Sequence, residues 1–200
     1  MIKILKNGDI KSSRFTSLYQ LSDNSLWVPV FYHNNHSGKV LFSSESEFLS
    51  TNTPDKYSIL GLLHNGGFKN SSGKYEFLLR YPTMDPTHYN RWYQNNDPYS
   101  AISGYSAITI NWGDENWGGL APSSDSSMTF VDGSPNTDGW FYAIGSRHVW
   151  VDKGIPGYST STELETDVCL YVRYDTLGNK SQVRFLKSDN SIIAHDFIEI

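Results

Sequence analysis

Short apolar and aromatic runs of strand length, each closed by a turn signal, constrain this chain more than any other feature. Trp140-Phe141-Tyr142-Ala143-Ile144 and Val168-Cys169-Leu170-Tyr171-Val172-Arg173-Tyr174 are near-continuous and too short for helices, which marks core strands. Tyr75-Glu76-Phe77-Leu78-Leu79-Arg80-Tyr81 is a strand ended by Pro82. Ala107-Ile108-Thr109-Ile110-Asn111-Trp112 is another, and Met128-Thr129-Phe130-Val131 alternates before Asp132-Gly133. Leu26-Trp27-Val28-Pro29-Val30-Phe31-Tyr32 is β-branched and aromatic, with a proline that points to an edge strand or a bulge. The expected fold class is all-β: a β-sandwich or jelly-roll-like main domain, a small N-terminal β block and a C-terminal strand pair.

Three blocks are expected: residues 1–52, 53–175 and 176–200. In the first, Ile2, Ile4 and Leu5 start a short strand and Asn7-Gly8 is a hairpin signal. His33-Asn34-Asn35-His36-Ser37-Gly38-Lys39 reads as a turn before a return strand, Val40-Leu41-Phe42. Ser44 and Glu47 have capping-box spacing and predict one helical turn. Thr51-Asn52-Thr53-Pro54-Asp55 is polar and turn-rich, and is the candidate boundary. In the last block Gln182-Val183-Arg184-Phe185-Leu186 is a strand, and the apolar stretch 191–200 is expected to tuck into a sheet, its own or a partner's.

Composition narrows the function classes. The formal net charge is −5, and the one basic cluster, Lys3, Lys6, Lys11 and Arg14, reads as a solvated strand, so nucleic acid is not an expected partner. The single cysteine, Cys169, excludes an internal disulfide framework and sits in an apolar run, as a small buried side chain would. Met1-Ile2-Lys3-Ile4-Leu5 lacks a signal-peptide apolar region, and no apolar run is long enough for a membrane helix. Six Trp, thirteen Tyr and ten Phe stand among many Ser and Asn, a mixture that suits both pleated sheets and rigid contact surfaces.

Three stretches carry candidate chemistry. Tyr89-Asn90-Arg91-Trp92-Tyr93-Gln94-Asn95-Asn96-Asp97-Pro98 holds the groups a sugar site uses: an aromatic face for C–H stacking, with Arg91, Gln94 and Asn95 to bond hydroxyls. The same letters also fit a core anchor, Trp92, beside an internal salt bridge of Arg91. In Asn111-Trp112-Gly113-Asp114-Glu115-Asn116-Trp117-Gly118, two Trp bracket two carboxylates. Trp112, Asp114 and Trp117 are ligand-contact candidates there, against a plain hairpin. A glycosidase would need a second carboxylate facing across a cleft. In the third stretch, oxygen side chains recur at Asp132, Ser134, Asn136 and Asp138. That spacing is a weak calcium candidate without EF-hand glycine or glutamate positions, and an Asx-rich turn explains it equally. No other cofactor is expected. His148 has no nucleophile at a recognisable spacing, and His33/His36, lacking a third ligand, reads as solvated surface rather than zinc.

The series Tyr75-Glu76-Phe77-Leu78-Leu79, Tyr89-Asn90-Arg91-Trp92-Tyr93-Gln94, Ala107-Ile108-Thr109-Ile110-Asn111-Trp112, Trp117-Gly118-Gly119-Leu120-Ala121, Asp132-Gly133-Ser134 and Trp140-Phe141-Tyr142-Ala143-Ile144-Gly145 resembles lectin-like β-sandwich domains on the virion surface of tailed bacteriophages of the crAss-like group. The resemblance covers residues 56–175. It implies a virion protein, on a tail or head fibre or decoration, that binds a surface glycan or receptor, often as a trimer. It implies that residues 1–52 dock on other virion proteins, and it transfers no catalytic residue. The alternatives are a purely structural assembly subunit, or a glycan-cleaving enzyme using Asp114, Glu115, Asp132 and Asp138. Burial separates the first two readings. A binder has Trp92, Trp112 and Trp117 on one exposed concave surface, with Trp92 or Trp117 stacked on a sugar ring; a structural subunit has them in its core or between subunits.

Overall fold

β-Branched and aromatic runs become strands here because both faces of one sheet are buried. The computed structural model describes residues 19–35, 39–64, 68–82, 89–111, 117–133, 143–149, 165 and 167–174. In chain order the elements are β1 (Tyr19–Gln20), β2 (Leu26–Asn34), α1 (Glu45–Leu49), β3 (Thr51–Asn52), β4 (Lys56–Ser58), α2 (Leu60–His64), β5 (Tyr75–Arg80), β6 (Asn90–Gln94), β7 (Ser106–Ile110), β8 (Ala121–Pro122), β9 (Thr129–Asp132), β10 (Ile144–Ser146) and β11 (Asp167–Arg173). The large sheet runs β3-β4-β2-β11-β5-β6-β7, with β1 beside β2; the small one runs β10-β9-β8. All pairings are antiparallel, and the chain is all-β and sandwich-like.

Alternation sorts the side chains of β11 and β5. Val168, Leu170 and Val172 join Phe77 and Leu79 in the main core, under the small sheet and the two helices. Cys169 and Tyr171 join Leu78, Trp27, Tyr32 and Tyr57 on the opposite face. A sheet covered on both sides needs apolar residues at successive positions, which is why these runs do not alternate with polar ones.

Pro29 lies in a central strand, not an edge: β2 pairs with β11 on one side and with β4 and β1 on the other. The bulge half of the expectation holds. Leu170 opposes Phe31 while Tyr171 opposes Pro29, so Val30 is the extra residue, next to the proline that cannot donate to the ladder.

The expected boundary at residues 51–55 is the turn of the β3–β4 hairpin, where Thr51 opposes Ser58 and Thr53 N–H donates to Lys56 O at 2.7 Å. β1, β2 and β3 therefore lie in one sheet with β4, β5, β6, β7 and β11. Val40-Leu41-Phe42 is not a strand; Phe42 N–H donates to Ser146 O at 2.9 Å and its ring enters the core. The expectations for residues 1–18 and 175–200 lie outside the described residues.

Ser44 caps α1 as its spacing requires, its hydroxyl accepting from Glu47 N–H at 3.2 Å. The Glu47 carboxylate reaches back to Ser43 N–H and Oγ, at 2.8 and 2.7 Å, and is paired with Lys56. This cap aims Phe48 into the layer between the sheets. There its ring stacks on Phe130 at 4.8 Å and packs against Phe31 and Phe42. Gly145, at φ +78°, passes so close to the Phe48 ring that a Cβ would collide with it.

Gly145→Ala combines that collision with a left-handed backbone and is expected to cost about 1–3 kcal/mol. Urea unfolding measures it; an unchanged midpoint would mean that Phe48 does not fix this layer.

Candidate functional site

The sugar-site candidates fall on β6, where alternation sends Asn90, Trp92 and Gln94 inward and Arg91 and Tyr93 outward. Trp92 is completely buried, stacked on Phe77 at 5.4 Å and edge-on to Trp117 at 4.8 Å. Its indole N–H donates to Gln94 Oε1 at 2.8 Å. Gln94 uses its whole amide: Oε1 also accepts from Leu120 N–H at 3.1 Å, and Nε2 donates to Asn96 O and Leu120 O at 2.8 and 3.1 Å. Trp117 is only 5% exposed. A ring buried on both faces offers nothing for a sugar to stack on, so a stacking role for Trp92 or Trp117 is corrected to core anchor. Gln94 is corrected to the clamp that holds residues 117–120. Asn95 is half-buried against Gly104, and its N–H donates to Ser103 O at 2.8 Å. Trp112, Asp114 and Glu115 lie outside the described residues.

Arg91 stands on the other face in a charge network. Its Nε and Nη2 meet Glu76 Oε1 at 2.8 and 2.7 Å, its Nη1 meets Asp23 Oδ2 at 2.9 Å, and its guanidinium lies over the Trp27 ring at 5.2 Å. Arg173 Nη1 approaches the same Glu76 oxygen at 3.1 Å. Glu76 is 1% exposed, so one buried carboxylate joins β5, β6 and β11. Asp23 is half-exposed. Hydrogen bonds from the Ser25 hydroxyl and N–H, then from Arg91, pull its carboxyl down to about 2. Neither Glu76 nor Arg173 was a sequence candidate. Glu76 sits within a strand whose only other charge is the terminal Arg80, the one signal that could have marked it.

His33 is corrected from solvated surface to core. It is fully buried, and its Nε2 bonds Val40 O, so Nε2 carries the proton. Nδ1 has no hydrogen-bond partner among the described residues. Burial among Phe31 and Phe42 lowers its pKa to about 4, with nearby Lys56 adding to the shift.

Among the described residues, no three His, Cys, Asp or Glu side chains are grouped to hold a metal. Asp132 is buried where β9 pairs with β8, and Ser134, Asn136 and Asp138 lie outside the described residues. Asp97 meets His64 Nδ1 at 3.3 Å, but Ser100 Oγ donates to Asp97 rather than to the imidazole, which leaves that serine unactivated as a nucleophile. Cys169 is buried.

The exposed apolar surface lies elsewhere. Tyr105, Ile108 and Val149 are the large hydrophobic residues left open among those described, and the first two lie on or beside β7. Ser106, Ala107 and Ile108 are exposed in succession at the start of this edge strand, while Thr109 and Ile110 are half-buried and Ile110 packs against the main core. Comparison with protein-family models, with curated proteins and with solved structures gave no match.

Two outcomes follow from the buried groups. Glu76→Gln leaves two guanidinium groups facing a neutral amide and is expected to cost about 3 kcal/mol in urea unfolding. Asp23→Asn, at the half-exposed end of the same network, is expected to cost less than about 1 kcal/mol. Equal costs would contradict the assignment of Glu76 as the hub. His33 binds its proton near 6.5 when unfolded and near 4 when folded. Its contribution is complete above the unfolded value and is lost as pH falls from about 6.5 to about 4, by up to about 1.4 kcal/mol per pH unit. Stability measured across that window is expected to flatten in His33→Gln.

Proposed function

We propose that this chain is a non-enzymatic assembly protein, a β-sandwich subunit whose surface meets other protein chains rather than sugars. The observation that carries the reading is where the aromatic residues are. Trp92 and Trp117 are core, while the open apolar residues Tyr105 and Ile108 sit at a strand edge that pairs only with β6 among the described residues. Two buried carboxylates among the described residues, Glu76 and Asp97, have defined partners that hold elements together. A virion-surface setting, on a fibre or as a decoration, rests on the resemblance of residues 56–175 to phage lectin-like domains.

A glycan-array screen of the full chain, run with and without calcium, tests this directly. The expected outcome is no preference for any glycan class and no effect of chelation. Binding to a defined glycan would replace the assembly reading with that of an adhesin. Loss of that binding on chelation would place calcium in its site. As a control, Trp92→Ala is expected to lower stability by about 3–5 kcal/mol, as for any large core aromatic.

A further inference from the structure

We propose that β7 is the docking strand and that its occupant is the β7 of a second copy, paired antiparallel about a twofold axis through Ile108. This rests on the assembly reading and names its partner.

The edges of the two sheets are not alike. β1, β3 and β8 have two residues each, β8 carries Pro122, and the three-residue β10 is covered where Phe42 N–H bonds Ser146 O. These are ordinary ways to blunt an edge. β7 has five residues, Ser106-Ala107-Ile108-Thr109-Ile110, with no charge and no proline, and among the described residues it pairs only with β6. β-Branched residues fill three of its positions and favour strand pairing. Among the described residues, a bulge in the β6–β7 ladder is the one protective device. Arg91 opposes Thr109 and Trp92 opposes Ala107, so Ile108 is left without a partner on β6. The residue it sets free is an isoleucine, 39% exposed, where a lysine or glutamate would repel a neighbour.

Charge selects the occupant. The chain carries a net charge of −5, so two copies repel unless they meet where neither is charged. Residues 98–111 form such a place: Pro-Tyr-Ser-Ala-Ile-Ser-Gly-Tyr-Ser-Ala-Ile-Thr-Ile-Asn contains no ionisable side chain other than the two tyrosines. An acidic or basic peptide finds nothing there to read. A second copy finds its own complement. About Ile108, the isoleucine opposes itself, Ala107 opposes Thr109, Ser106 opposes Ile110, and Tyr105 opposes Asn111. Each pair joins uncharged residues, and the exposed Ile108 side chain lies on the axis. A twofold contact of this kind closes on itself, so it gives a dimer and not a fibre.

The test uses the full chain. Size-exclusion chromatography with light scattering is expected to give twice the chain mass, falling to the chain mass in Ile108→Lys with an unchanged circular-dichroism spectrum. Cysteine cross-linking in a Cys169→Ala background fixes the register and does not depend on that variant folding. With diamide as oxidant, Ile108→Cys is expected to cross-link to itself. Ala107→Cys is expected to cross-link well only when mixed with Thr109→Cys. A monomeric wild-type chain, a dimer that survives Ile108→Lys, open-ended aggregation, or cross-links centred elsewhere would each overturn the pairing. Failure of the pairing with a silent glycan array leaves the assembly reading standing with a different partner. A positive glycan array removes the reading itself.

Discussion

Burial of the large sheet on both faces is the constraint from which the other features follow. On one face, Phe31, Phe77, Trp92, Leu170 and Val172 meet the helices and the small sheet in a continuous apolar layer. On the other, Trp27, Leu78 and Tyr171 are buried beside Glu76 and its two arginines. An ionised carboxylate removed from water must be paired, and two guanidinium groups from neighbouring strands do that. The network therefore sets which strands lie side by side: β6 and β11 must flank β5 for Arg91 and Arg173 to reach one oxygen. Phe48 plays the corresponding part in the apolar layer, since the capped turn of α1 and the open backbone at Gly145 both exist around its ring.

This economy of burial decides what is left for function. Among the described residues, Trp92, Gln94 and Trp117, the candidates best suited to grip a sugar, are inside. Trp92 gives its indole N–H to Gln94, and Gln94 gives its amide to the backbone of residues 96 and 120, so three polar groups satisfy one another with none directed outward. Among the described residues, the exposed edge of β7 offers backbone and uncharged side chains. An uncharged edge strand can recognise another strand by main-chain hydrogen bonds, with side chains setting the register. Such a contact suits a subunit of an assembly, and it needs no concave pocket.

Much of the fold was legible because a doubly buried strand has an unmistakable sequence. The stretch 168–174 could hardly be anything else, and Ser44 with Glu47 marked a helix start from spacing alone. Pro29 was half legible. Its chemistry demanded a bulge or an edge, and only the pairing of Val28 and Phe31 with β11 shows which. The turn at residues 51–55 looked like a domain boundary because a hairpin and a linker use the same residues. The five-residue helix Leu60–His64 is too short to show a helical period. The site was misread for a related reason. Asn90, Arg91, Gln94 and Asn95 around one Trp look like a polar loop in one dimension. As a strand with period two, the same letters put Asn90, Trp92 and Gln94 on the buried face, where each amide has a fixed partner. Glu76 escaped notice because a charge beside the apolar run Phe77-Leu78-Leu79 becomes meaningful only when Arg91 and Arg173, far away in sequence, arrive beside it.

Hydrogen–deuterium exchange of the full chain, followed at low and high protein concentration, tests the two-sided sheet and its open edge together. Amides of β2, β11 and β5 are expected to exchange slowest at every concentration, as central strands buried on both faces should. Those of residues 106–110 are expected to exchange fast in dilute protein and to slow as concentration rises. Protection of β7 equal to that of β11 in dilute protein, or fast exchange in β7 at every concentration, would contradict the account.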